Sequence, residues 1–138
     1  MSERYERGLR TLQEIDAQQV GRIVAGLRDI APDFATYLVE FPFGDIYARP
    51  GLDLRSRQIA TVAALTALGT APAQLRVHIN GALNVGCTRT EITEVIMQMA
   101  VYAGFPAALN GLAAAKEVFA QRDRAASCPV DADPAASP

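Results

Sequence analysis

Apolar positions recur at the three- and four-residue spacing of a helix along almost the whole chain, and no stretch alternates as a half-buried strand would. Val20, Ile23, Val24 and Leu27 form one face of a helix that Asp16 opens as N-cap and that ends near Ile30; a shorter helix, Tyr5 to Ile15, precedes it. Pro32 opens a segment from Asp33 to about Phe41 with Phe34, Tyr37, Leu38 and Phe41 on one stripe. The aromatic stretch Phe41 to Gly51 is broken by Pro42, Gly44 and Pro50, so it reads as a loop or a single helical turn of the kind that often lines sites. Asp53 caps the next helix, Leu54 to Leu68, which is apolar all round from Ile59 onward except at Thr61 and Thr66 and is therefore expected to be buried all round.

Gly69 ends that helix and Pro72 starts another, which stops at Gly86. Thr88-x-x-Glu91 then reads as a capping box for a helix from Arg89 to Ala103, with an inner stripe of Ile92, Val95, Ile96, Met99 and Ala103. Met97 and Val101 sit on the opposite side, so the back of this helix is expected to meet another subunit; Glu91, Glu94, Gln98 and Tyr102 run along one edge. Gly104 stops it, and Pro106 starts a last helix from Ala107 to about Arg124. The pattern predicts one all-α domain over residues 1–124, a bundle of about six to seven helices with central αα-hairpins, and a disordered tail over 125–138, where Ala, Ser, Pro and Asp take over.

Composition narrows the function classes. A net charge of -2 and a pI near 5.3 leave no basic footprint for nucleic acid. The N-terminus mixes charges and lacks an apolar core, so no secretory signal is expected and a cytoplasmic location follows. Glycine and proline break the uncharged runs Gln58–Leu75 and Val95–Ala115 into pieces shorter than the ~20 residues of a membrane span. Cys87 and Cys128 have neither Cys-x-x-Cys nor Cys/His spacing, which argues against a zinc site or a dithiol pair. Lys116 is the sole lysine beside twelve arginines, which argues against Schiff-base chemistry.

The chain holds one histidine, His78. Its helical neighbours Leu75, Gly81, Ala82 and Val85 put the ring at the edge of an apolar stripe, a position that suits a hydrogen-bonded core histidine as well as a site imidazole. A mid-helix glycine costs roughly 1 kcal/mol against alanine, so Gly81 implies a close helix contact or room for a ligand.

The run Phe43-Gly44-Asp45-Ile46-Tyr47-Ala48-Arg49-Pro50-Gly51-Leu52-Asp53, then Arg57, Leu75-Arg76-Val77-His78, Glu91-Ile92-Thr93-Glu94-Val95 and Tyr102-Ala103-Gly104-Phe105-Pro106 together resemble the carboxymuconolactone decarboxylase family, from about Tyr5 to Phe119. The resemblance implies an AhpD-like helical bundle that associates into trimers or hexamers. The family's thiol peroxidase relatives carry Cys-x-x-Cys-x-x-x-His with an upstream glutamate. Here Ala71 and Gln74 stand where those cysteines would be, and Gln58 where the relay acid is expected. A disulfide exchange needs a thiolate, and Cys87 reads instead as a small buried hydrophobe.

The decarboxylase branch fits better. It implies a γ-lactone substrate with an α,β-double bond, bearing a carboxylate and a carboxymethyl arm on the carbon next to the ring oxygen. Loss of CO2 pushes electrons through the double bond into the lactone carbonyl, and the dienolate is protonated α to that carbonyl. The substrate is its own electron sink, so neither cofactor nor metal is implied. By the same resemblance His78 is the general acid or oxyanion donor, Glu40 the residue that orients His78 or Arg49, and Arg49 and Arg57 the forks for the carboxylates. Arg57 suits an ion pair with Glu40 or Glu94 equally. Phe43 and Tyr47 would wall the pocket where the authentic decarboxylases carry tryptophans, and Gln98 and Tyr102 are further candidates for substrate contact. The competing readings are a thiol-dependent peroxidase or disulfide reductase, and an oligomeric binding protein without catalysis.

Overall fold

Side-chain caps open three of the helices and glycine stops close three in the computed structural model, which describes residues 1–128. Among these residues the chain forms α1 (Glu3–Asp16), α2 (Gln19–Leu27), α3 (Pro32–Leu38), a π-helical segment (Val39–Tyr47), α4 (Leu54–Leu68), α5 (Pro72–Asn84), α6 (Arg89–Ala103) and α7 (Phe105–Ser127), with no strand. The Asp53 carboxylate accepts from the Ser56 N–H at 2.7 Å and opens α4 as expected. The Thr88 hydroxyl accepts from the Glu91 N–H at 3.1 Å and opens α6. Gly69, Gly86 and Gly104 all have positive φ at the stops the sequence marks.

Helices α4 to α7 share one core, in which Val62, Leu75, Ile79, Ile92, Ile96 and Val118 interlock. A second cluster joins α1 to the π segment through Leu12, Ile15, Val39 and Phe43. Close approach explains the glycines of that joint. A Cβ on Gly8 would run into the Val39 carbonyl, and one on Gly44 into the Arg4 carbonyl. Ion pairs from Arg4 and Arg7 to Asp45 close over the crossing, and Arg7 also donates to the Gly44 carbonyl.

Several expectations need correction. Asp16 ends α1 rather than capping a longer helix, because its carboxylate turns to the Gln18 N–H two residues on, and α2 starts without a side-chain cap. The stretch expected to be a loop or single turn is largely π-helical, a wide turn that accepts both Pro42 and Gly44. Helix α4 is not buried all round. Its buried line is Gln58, Val62 and Thr66, while Ala60, Ala64, Ala67 and Leu68 are exposed, so the apolar back of α4 is mostly alanine with little area to hide. Glu91 completes no reciprocal capping box; its carboxylate pairs with Arg55 on α4. Helix α7 continues to Ser127, and the rest of the expected tail, from residue 129, lies outside the described residues.

Candidate functional site

Helix α5 carries His78 on the side that faces α1 and α4. A Cβ on Gly81 would stand 2.8 Å from the Ile15 methyl and 3.6 Å from the Gln58 amide, so the glycine that looked costly in the sequence makes room for both. Gln58 is fully buried, and its Oε1 lies 3.0 Å from His78 Nδ1. The other ring nitrogen, Nε2, has no hydrogen-bond partner among the described residues and is not sealed from solvent. Burial alone pushes the His78 pKa below the usual imidazole value.

His78 lines a cavity of about 370 Å³ between α1, α2, the end of α3, the π segment and α5. Its walls are mostly apolar, with Leu12, Ile15, Ile23, Leu38, Phe43 and Val77, and its polar groups are Asp16, Gln19, Tyr47, Gln74 and His78. Phe43 and Tyr47 pack with ring centroids 5.2 Å apart. The Tyr47 hydroxyl is hydrogen-bonded to Thr61, and burial raises its pKa against the opposing pull of that bond and of the Arg57 charge. The Asp16 carboxylate is already paired with Arg22 at 3.2 Å. Among the described residues no arginine or lysine lines this cavity. A comparable hollow beside Lys116 is an open surface groove, and a larger one beside Arg122 is wide and polar, so neither has the enclosed apolar character of a small-molecule site.

The structure brings His78, Phe43 and Tyr47 together and leaves the other sequence candidates outside the cavity. Glu40 takes the Ser2 hydroxyl and lies 3.4 Å from Arg4, because the π segment turns it toward the start of α1 and away from His78. Arg57 makes neither expected ion pair. It curls back to donate to the Leu52 carbonyl at 3.1 Å and the Arg49 carbonyl at 3.2 Å, bracing the loop before α4. Arg49 is exposed. Gln98 and Tyr102 are exposed on α6 and are not among the cavity walls, with Tyr102 79% accessible.

Sequence reasoning named Gln58 only as a replacement for an acid, and it missed Asp16, Gln19 and Gln74 as lining residues. Gln74 carried a signal, since it stands four residues before His78 on the same helix face. Asp16 and Gln19 arrive through the α1–α2 joint, which no periodicity reveals. Cys87 is buried with its thiol directed at the Arg55 carbonyl, and burial raises its pKa, the reverse of what a reactive thiolate needs. Both cysteines are unbridged. No group of three or more histidine, cysteine or acidic side chains is gathered for a metal among the described residues.

A profile of the carboxymuconolactone decarboxylase family matches residues 32–117, which span the π segment, His78 and most of α7. A 4-carboxymuconolactone decarboxylase from Acinetobacter baylyi is 36% identical over 118 residues, covering 85% of this chain and 87% of that one. An uncharacterized 15.0 kDa protein of Paracoccus denitrificans is 36% identical over 70% of this chain and 73% of its own length. A nitrosuccinic acid decarboxylase from Metarhizium robertsii is 33% identical over 54% of this chain and 52% of its own. With a family match over more than half the sequence and a relative 36% identical over 85% of it, the chain belongs to the carboxymuconolactone decarboxylase family.

Proposed function

We propose that the protein is a cofactor-independent carboxy-lyase acting on a carboxylated γ-lactone, γ-carboxymuconolactone or a similar acid, to give an enol-lactone and CO2 in aromatic-compound catabolism. The observation that carries this reading is the chain's one histidine, set in the wall of a ligand-sized and largely apolar cavity with Nε2 unbonded. Family membership and the decarboxylases among its relatives support the reaction type.

The chemistry asks little of the protein. The carbon–carboxylate bond breaks, its electron pair moves through the ring double bond to the lactone carbonyl, CO2 departs, and one proton returns to the α carbon. His78 supplies that proton, and the apolar walls favour loss of a charged carboxylate as neutral CO2. Phe43 and Tyr47 form the flat wall against which the ring lies. The exposed apolar side chains of α6 and α7 support assembly as a trimer or hexamer, and a cytoplasmic setting suits such a catabolic step.

The test is CO2 release from γ-carboxymuconolactone. Replacing His78 by alanine is expected to slow turnover by about 10²-fold or more, the usual scale for a lost general acid. Equal rates in the two proteins would remove His78 from the mechanism. No release by either would remove the lactone.

A further inference from the structure

Gln58 is the side chain hydrogen-bonded to the ring of His78. It is fully buried, its Oε1 is the sole partner of His78 Nδ1 among the described residues, and its Nε2 has no partner there. An amide oxygen accepts and never donates, so the ring nitrogen it touches has to carry the proton. That leaves Nε2 with a lone pair. The cavity this ring lines holds no arginine or lysine among the described residues, so a carboxylate arriving there meets no permanent positive charge.

We propose that Gln58 is a positioning residue: it keeps a proton on Nδ1 of His78 in both charge states, so that Nε2 alone gains and loses the working proton, and the substrate's carboxylate enters with one proton from solvent. The second half rests on the decarboxylase reading; the first does not. On binding, Nε2 takes up the proton and the imidazolium becomes the counter-ion of the carboxylate. When CO2 has left and the dienolate has formed, the same N–H bond breaks and its proton goes to the α carbon, returning His78 to the neutral ring. One proton enters with the substrate and one leaves on the product, so the cycle balances without a further reactant.

The charged and titratable groups facing this ring from neighbouring elements are few. Asp16 at the end of α1 is paired with Arg22 of α2. Tyr47 of the π segment is held by Thr61, and Arg57 of α4 is tied to backbone carbonyls. Arg122 of α7 binds Asn80 and Asn84 on another face of α5. Burial, rather than any of these charges, lowers the His78 pKa, so the free ring is neutral and ready to accept at neutral pH.

Because the chain contains one histidine, nitrogen NMR of the unliganded protein reads this ring without ambiguity. The expected spectrum of the neutral ring has Nδ1 protonated and Nε2 bare. A dominant Nε2–H tautomer would overturn the proposal, and this measurement needs no variant. Gln58→Glu is expected to raise the His78 titration midpoint by about one unit or more, because a carboxylate at Nδ1 stabilises the cation; an unchanged midpoint in a folded variant would also overturn it. A packing role alone would move neither readout. For the second half, the saturated γ-carboxy-γ-butyrolactone lacks the electron sink and serves as a non-reacting probe. Calorimetry in buffers of different ionisation enthalpy, above the His78 midpoint, is expected to show uptake of about one proton per ligand bound. Binding without uptake would overturn the coupled entry. Uptake intact but no CO2 from the unsaturated lactone would sink the substrate assignment and leave the role of Gln58 standing.

Discussion

An imidazole buried beside an amide has lost water, and no carboxylate compensates its positive form. For His78 this has a thermodynamic sign as well as a catalytic one. Its pKa in the folded chain lies below that of the unfolded chain, near 6.5, so between the two values the unfolded state binds more protons. The contribution is therefore complete above the unfolded pKa and is lost as the pH falls through that window. Thermal melting of the native protein is expected to decline more steeply from about pH 7.5 to about pH 5.5 than melting of a His78→Gln variant, whose side chain does not titrate. Parallel declines would show that burial does not hold this ring neutral. The sequence made His78 legible because the residue is unique and sits at the edge of a helical stripe. It could not place Glu40, Arg49 or Arg57, because where a long charged side chain lands depends on the path of the turn that carries it. Glu40 was directed to Arg4, and Arg57 to the carbonyls behind it.

At the scale of elements, boundaries with local chemistry were the readable ones. Asp53 and Thr88 cap, Gly69, Gly86 and Gly104 stop, and each does so through atoms a few residues away. The π segment was not readable, since Pro42 and Gly44 break an ordinary helix, and what makes the wider turn possible is α1 lying against it. The same contact makes Gly44 sensitive. Gly44→Ala, whose methyl group meets the Arg4 carbonyl, is expected to cost about 1–3 kcal/mol in urea unfolding, the usual range for overpacking. Gly51→Ala, with nothing within 4 Å of the added carbon, is the control and is expected to change stability little. Similar losses for both would mean that the α1 crossing is not what requires a glycine.

For the whole molecule, the apolar surplus seen along α6 extends into α7. Met97, Val101, Phe105 and Leu109 are between 48% and 77% exposed, and large apolar side chains left open along two successive helices suit a face that meets another subunit. The double substitution Val101→Asp and Leu109→Asp is expected to turn an oligomer into a monomer in sedimentation velocity while the helical circular dichroism persists. A native protein that already sediments as a monomer would contradict that assembly. The inward side of the same bundle holds a different lesson. Gln58 occupies a place where most helices would put leucine, and it lies against Gly81, which has no side chain to spare. The proposed tuning of His78 and the packing of α4 against α5 thus rest on one amide. A descendant of this chain could exchange that amide for a group of nearly its own outline, as glutamate is, but for nothing larger or smaller without first remaking the middle of its own scaffold.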